Sequence, residues 1–179
     1  MVSAAPVPGV RVIPHDSFAT DVDDSTLAFL SSHRAVSVCA RELSRLSDAI
    51  ADAASAFARE TGHEAPTLRR APDRCIVQLG PVALTVAWLR NGSDSPVGGE
   101  LLAIVWRGTI APRGDHLPER LNGRPIMVPP VELWEQSFVP SAASEATWHW
   151  HPESREREGF ASQELAAFCV HQLSRALVA

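Results

Sequence analysis

The sequence predicts an α+β fold: an antiparallel sheet of about four strands, a meander of three plus a later one, packed with a long N-terminal helix and a C-terminal helix. Three observations carry that expectation. A helical apolar period runs through Val36, Cys39, Leu43, Leu46, Ile50, Ala53 and Phe57. Between residues 74 and 109 the period falls to two, punctuated by Gly80-Pro81 and Asn91-Gly92. A helical stripe then returns at Leu165, Cys169, Leu173 and Leu177, widened by Ala166, Phe168 and Ala176.

Taken in order, residues 1–24 contain prolines and end in Asp21, Asp23 and Asp24, which reads as an extended N-terminal arm ahead of one α+β domain at 25–179. Asp24 or Ser25 is a suitable N-cap for helical sequence reaching about Glu60 and stopping at Thr61-Gly62. Weak helix propensity at Ser31-Ser32-His33 marks where it would break. Arg41, Glu42, Arg45, Asp48 and Asp52 lie between the stripe positions and read as a solvated face. The stripe suits packing on the chain's own sheet. The other use, the seam of a helical dimer, is disfavoured by Cys39 and Ala53.

Strands are expected at Arg74 to Leu79, with Pro72 at its start or on an edge, at Val82 to Arg90 and at Glu100 to Thr109. Alternation sends Val82, Leu84, Val86 and Trp88 to one face and Ala83, Thr85, Ala87 and Leu89 to the other. Leu102, Ile104 and Trp106 likewise oppose Leu101, Ala103 and Val105. Trp88 and Trp106 are both expected on the core face. Neither face is polar, so both call for cover. The bulky face suits the long helix, and the face of smaller residues admits a second layer, either the C-terminal helix or another subunit. That pattern points to self-association.

Pro112, Pro118, Pro125, Pro129, Pro130 and Pro140 make 111–145 an irregular segment, relieved by a short helix at Val131 to Gln136, and a segment of this length is where a binding surface is expected. Ala146 to His151 reads as the fourth strand, stopped by Pro152, and Glu153 to Glu158 as a charged loop. Ser162 is a fitting N-cap for the final helix, which runs to about Leu177.

Composition narrows the classes. With 45% hydrophobic and 21% charged residues, the chain has the make-up of a globular protein. Its longest apolar runs, such as Leu101 to Trp106, fall far short of the roughly 20 residues that span a bilayer. Met1 to Val10 have neither the basic nor the apolar region of a secretory signal. A net charge of −5 argues against nucleic acid as partner. All 16 basic residues are Arg, and together with abundant Ala and Pro this reads as the coding bias of a GC-rich bacterium. Cys39, Cys75 and Cys169 are dispersed among apolar neighbours, as expected of buried thiols in a reducing cytoplasm.

Chemistry-bearing residues are few. In Trp148-His149-Trp150-His151, strand geometry would place His149 and His151 on one face and both tryptophans on the other. Two imidazoles so placed can begin a metal site, with Glu153, His171, His63 or His116 as distant third ligands, or they can be the solvated side of an edge strand. Arg69, Arg70 and Arg74, with Arg90 and Arg107 near them in the sheet, would contact an anion or an acidic partner, or else guard a solvated sheet edge. Asp115-His116 and His15-Asp16 lack a nucleophile in a strand-to-helix turn, and Gly92, Gly98 and Gly99 do not form a phosphate loop. Nothing calls for a cofactor.

These features lead to the expectation of a non-enzymatic interaction or regulatory module of a bacterial cytosolic protein. Its partner would be another protein or a second copy, bound through 111–145, the sheet edge or the helix stripe. The alternative is a small-molecule binder or metal-dependent enzyme using His149 and His151.

Overall fold

The structure, a computed structural model, describes residues 24–178 apart from 91, 93, 111–119, 122–123, 126–128 and 154–157. Residues 1–23 of the N-terminal arm, His116 and the proline-rich 111–119 thus lie outside the described residues.

Two helices come first, α1 (Asp24–Leu30) and α2 (His33–Thr61). The break between them has a local cause. Ser32 takes an extended backbone, and its hydroxyl accepts the Ala35 N–H at 3.2 Å as the N-cap of α2. Gly62, at φ 70°, ends α2 in the left-handed conformation that costs glycine least, and its N–H reaches back to the last turn.

The strands follow as β1 (Thr67–Ala71), β2 (Arg74–Leu79), β3 (Val82–Leu89) and β4 (Glu100–Arg107), a small pair β5 (Arg120–Leu121) and β6 (Arg124–Pro125), then β7 (Val131–Ser141) and β8 (His149–Pro152). Helix α3 (Ser162–Val178) ends the described chain. Strands β1-β2-β3-β4-β7-β8 form one sheet, antiparallel throughout, and β5-β6 form a separate ladder.

The α+β class and the antiparallel sheet therefore stand, with six strands in place of four. One extra strand, β1, folds back on β2 through Pro72-Asp73, so the proline sits in the turn, where its missing N–H costs no ladder bond. The other, β7, replaces the short helix expected at Val131 to Gln136 and much of the expected irregular segment. Pairing with the exposed edge of β4 overrides its mixed local propensity. Its Pro140 is accommodated by register. Trp150, opposite Pro140, directs its N–H and C=O away from β7 to Phe160, at 2.8 and 2.9 Å. The Pro140–Trp150 pair is thus a non-hydrogen-bonded one, and β4 has already begun its ladder at Leu101↔Phe138.

Both α2 and α3 lie on the same side of the sheet: α2 touches β2, and α3 touches β3, β4 and β8. Register shows which side chains they cover. Leu84 pairs with Val77 and with Val105, Trp88 with Leu101, and Leu101 with Phe138. These six are buried, as are Trp150 and the helix residues Leu46, Ile50, Leu165 and Leu173. Full burial of one such side chain stabilises by about 1.5–3 kcal/mol. Gly99 is needed at the rim: a Cβ there would come within 2.3 Å of the Trp88 ring.

This layering bears on two sequence expectations. The C-terminal helix, one of the two covers the sequence leaves open for the second sheet face, does not lie on it. Nor do the bulky residues of β3 and β4 share a face: Trp106 pairs with Ala83 and Ile104 with Thr85, so Leu102, Ile104 and Trp106 point away from the helices. Trp88 is in the core and Trp106 is not.

The stripe on α2 is used on the chain's own sheet, as expected, through Cys39, Leu43, Leu46 and Ile50. It is wider than the sequence suggested, because α3 packs beside it. Ala35, Val38, Ala54 and Ala58 are buried as well, and so is Glu42, which the sequence placed on the solvated face.

Candidate functional site: the open sheet face

The face of the sheet turned away from the helices is built by alternation alone. Reading across from β2, Arg74, Ala87, Leu102 and Ser137 form one row. Ile76, Thr85, Ile104 and Glu135 form the next, and Gln78, Ala83, Trp106 and Glu132 the third. Arg69 on β1 extends the second row, opposite Ile76. An extra residue in β7 between Glu132 and Trp134, opposite Val105/Trp106, keeps the third row in line across a bulge.

The rows differ by column. β3 contributes small residues, Ala83, Thr85 and Ala87, and β4 beside it contributes large ones, Leu102, Ile104 and Trp106. The Trp106 indole N–H donates to Thr85 Oγ1 at 3.2 Å, which lays the ring towards β3. Charge is divided across the face: exposed Arg69 and Arg74 stand on the β1–β2 side and exposed Glu132 and Glu135 on β7, while half-buried Glu100 on β4, opposite Leu89, accepts a hydrogen bond from Ser137 Oγ. At the rim, Leu89 is 44% and Val139 37% exposed. Gln78 closes one end. Its amide nitrogen donates to the carbonyls of Gly80, Val82 and Gly108 at 2.8, 3.0 and 3.1 Å, and its oxygen accepts the Ile110 N–H at 2.8 Å.

The expected arginine cluster is split by the same alternation. Arg70 faces the helices and pairs with Asp48, Arg90 pairs with Asp94 at 3.3 Å, and only Arg69 and Arg74 share the open face.

His149 and His151 do share the open face, at its β8 edge, opposite Ser141 and Val139, with ring centroids 6.4 Å apart. His149 Nδ1 lies 3.0 Å from the Thr147 carbonyl and donates to it in the Nδ1–H tautomer. Around His151 the chain is tight, since a Cβ at Gly159 would stand 2.5 Å from Nε2. Of the distant third ligands, His171 and Glu153 are exposed and His63 stacks on Phe57. Among the described residues no three His, Cys, Asp or Glu side chains are grouped to hold a metal ion. Trp148 and Trp150 occupy the core, as expected.

Other polar features serve the fold. Trp150 Nε1 donates to Ser162 Oγ at 3.1 Å, and Ser162 Oγ donates to Glu42 Oε2 at 3.0 Å. Arg45 donates to the other Glu42 oxygen at 2.8 Å. Ser162, read from sequence as an N-cap, is therefore a buried link between β8, α3 and α2. The N-terminal turn of α3 is served instead by Glu164, whose carboxylate accepts the Ala161 N–H at 2.9 Å. All three cysteines are buried; burial pushes the thiols of Cys39 and Cys169 up to about 12, and that of Cys75 up as well. A groove of about 540 Å³ between the ends of α2 and α3 is lined by Phe57, Thr61, His63, Ser174, Arg175 and Val178. Its two hydroxyls donate to the backbone carbonyls of Phe57 and His171, and no acid–base pair is assembled there.

Among the described residues, fold and site together define an α+β arrangement with an antiparallel meander, α2 and α3 on one face and an amphipathic face on the other that neither helix covers. Among the described residues no helix is long and apolar enough to cross a membrane. Compared with protein-family models, with curated proteins and with solved structures, the chain matches none.

Proposed function

We propose that this chain is a non-enzymatic protein-interaction module whose docking surface is the open face of the sheet. One observation carries the reading: both helices pack on the same side, which leaves Ile76, Leu102, Ile104 and Trp106, only partly buried, in the middle of the other. Buried strand faces are apolar and solvated ones polar in most antiparallel sheets. An apolar centre flanked by charge fits a protein surface better than water. The chemistry of the partner follows from the columns. It is a flat surface with apolar residues at its centre, acidic residues to meet Arg74, and basic residues to meet Glu132 and Glu135.

The test uses the inertness of the native thiols. Ile104→Cys places one new thiol at the centre of the face, against a background of three buried ones. At high dilution it should react with a maleimide within roughly a hundredfold of the unfolded rate, while the native thiols lag far behind. An introduced thiol as protected as the native three in a chain that sediments as a monomer would mean that the chain itself covers this face, and the reading would fall.

A second reading has one observation in its favour, the shared face of His149 and His151. A small molecule or a metal ion would then be held at the β8 edge. Titration with Zn²⁺ and with Co²⁺ tests it: stoichiometric binding lost in the His149→Ala/His151→Ala double variant supports it, and no binding removes it.

A further inference from the structure

We infer that the partner on the open face is a second copy of this chain, packed face to face about a two-fold axis parallel to the strands. The inference rests on the docking reading above and names the occupant. It comes from the arrangement of columns across the sheet, which is complementary to itself in one orientation only.

Two sheets stacked on their open faces can be related by a two-fold axis in the plane between them, either across the strands or along them. An axis across the strands lays β2 on β2 and β7 on β7. With that axis through the middle row the rows reverse: Glu135 meets Glu135, Ile104 meets Ile104 large on large, and Arg74 comes over Gln78, which opposes association. An axis along the strands, midway between β3 and β4, reverses the columns: β4 lies over the partner's β3, and β7 over the partner's β2. The order β1-β2-β3-β4-β7-β8 places that axis at the centre of the sheet, so the overlap is complete.

Shape and charge agree on this second orientation. Leu102, Ile104 and Trp106 of each copy come over the small Ala87, Thr85 and Ala83 of the other, row for row, because an axis along the strands preserves position along them. Large side chains over small ones let two sheets approach to the usual spacing of about 10 Å. Arg74 of each copy comes over Ser137 of the other, one row from Glu135. That offset, two residues or about 6.8 Å along a strand, is within reach of an extended arginine. The pair occurs twice in an isologous dimer, once from each side.

Sedimentation equilibrium of the full chain at micromolar concentration is the test, with circular dichroism to verify folding. The wild type should be a dimer. Ile104→Asp should give a folded monomer. Arg74→Glu and Glu135→Arg should each weaken association about tenfold, since each reverses two ion pairs. The double reversal in one chain should recover the wild-type affinity to within about threefold, because each new glutamate then faces a new arginine.

A dimer untouched by these substitutions overturns the inference, as does a double reversal no better than the single ones. A wild type that stays monomeric while the thiol introduced by Ile104→Cys labels freely also overturns it, yet leaves the docking reading standing. Protection of that thiol in a chain that sediments as a monomer overturns both.

Discussion

Ser162→Ala tests the buried polar link in the fold most directly. The hydroxyl accepts the Trp150 indole N–H at 3.1 Å and donates to Glu42 at 3.0 Å. Removing it leaves the indole donor unpaired in the core, a cost of about 1–3 kcal/mol. It also takes one charge-assisted bond from a carboxylate that keeps its contact with Arg45 at 2.8 Å, so the second loss is at the low end of its class, about 1 kcal/mol. The sum is about 2–4 kcal/mol. At roughly 2–4 °C per kcal/mol for a chain of this size, the Tm falls by about 5–15 °C. Urea unfolding followed by tryptophan fluorescence is the assay, and Cm should drop with m unchanged. Two tryptophans provide an internal comparison. Trp150→Phe forfeits the indole bond and should cost about 1–3 kcal/mol more than Trp148→Phe, because Trp148 Nε1 has no hydrogen-bond partner among the described residues. A Ser162→Ala variant within about 0.5 kcal/mol of wild type, or equal losses from the two tryptophan substitutions, would refute the reasoning.

Two further outcomes are expected. The buried thiols should resist a disulfide reagent at pH 8 and all react in urea. Because their folded values lie above the ordinary thiol value of 9.0, with Cys39 and Cys169 at about 12, their contribution to stability is complete below about pH 9 and declines as pH rises beyond it. A pH titration of Cm above 9 measures the decline, and a flat profile contradicts it. Glu145 should behave in the opposite sense. Its hydrogen bond from Arg34, aided by Arg41 at 3.5 Å, holds its carboxyl below 4.5, so the contribution is present above that value and lost as pH falls through the lowered one. Glu145→Gln should therefore flatten the acid limb of the stability profile, and an unchanged limb would show that the latch between α2 and the 145–147 turn contributes nothing.

The helices and the central strands were legible because each has one uninterrupted period. The α2 stripe, the stop at Gly62, the β2 span and the α3 stripe all appear where the sequence places them. Strand β7 was hidden by its prolines, its glutamates and an extra residue that shifts its phase. Which face β3 and β4 share was hidden too, because pairing register is a relation between strands that no single strand encodes. Reading each strand alone put the large residues of both together; the hairpin puts them on opposite faces. For the same reason the arginine cluster dissolved while His149 and His151 stayed on one face, being within one strand. Glu42 and Ser162 each carry the sequence signature of another role, and only the packing of α3 beside α2 brings them together.

That packing also bears on the order in which the chain can fold. The strand order of the main sheet follows the sequence, so every ladder can form from neighbours as they are synthesised. The cover for β3, β4 and β8 is different, because α3 is translated only after the whole sheet. Until Leu165 and Leu173 arrive, Trp150, Phe138 and Leu101 have half a core, and both faces of the sheet are apolar and open to collision with other nascent chains. The sheet is thus most vulnerable to aggregation when it is already fully paired but not yet roofed.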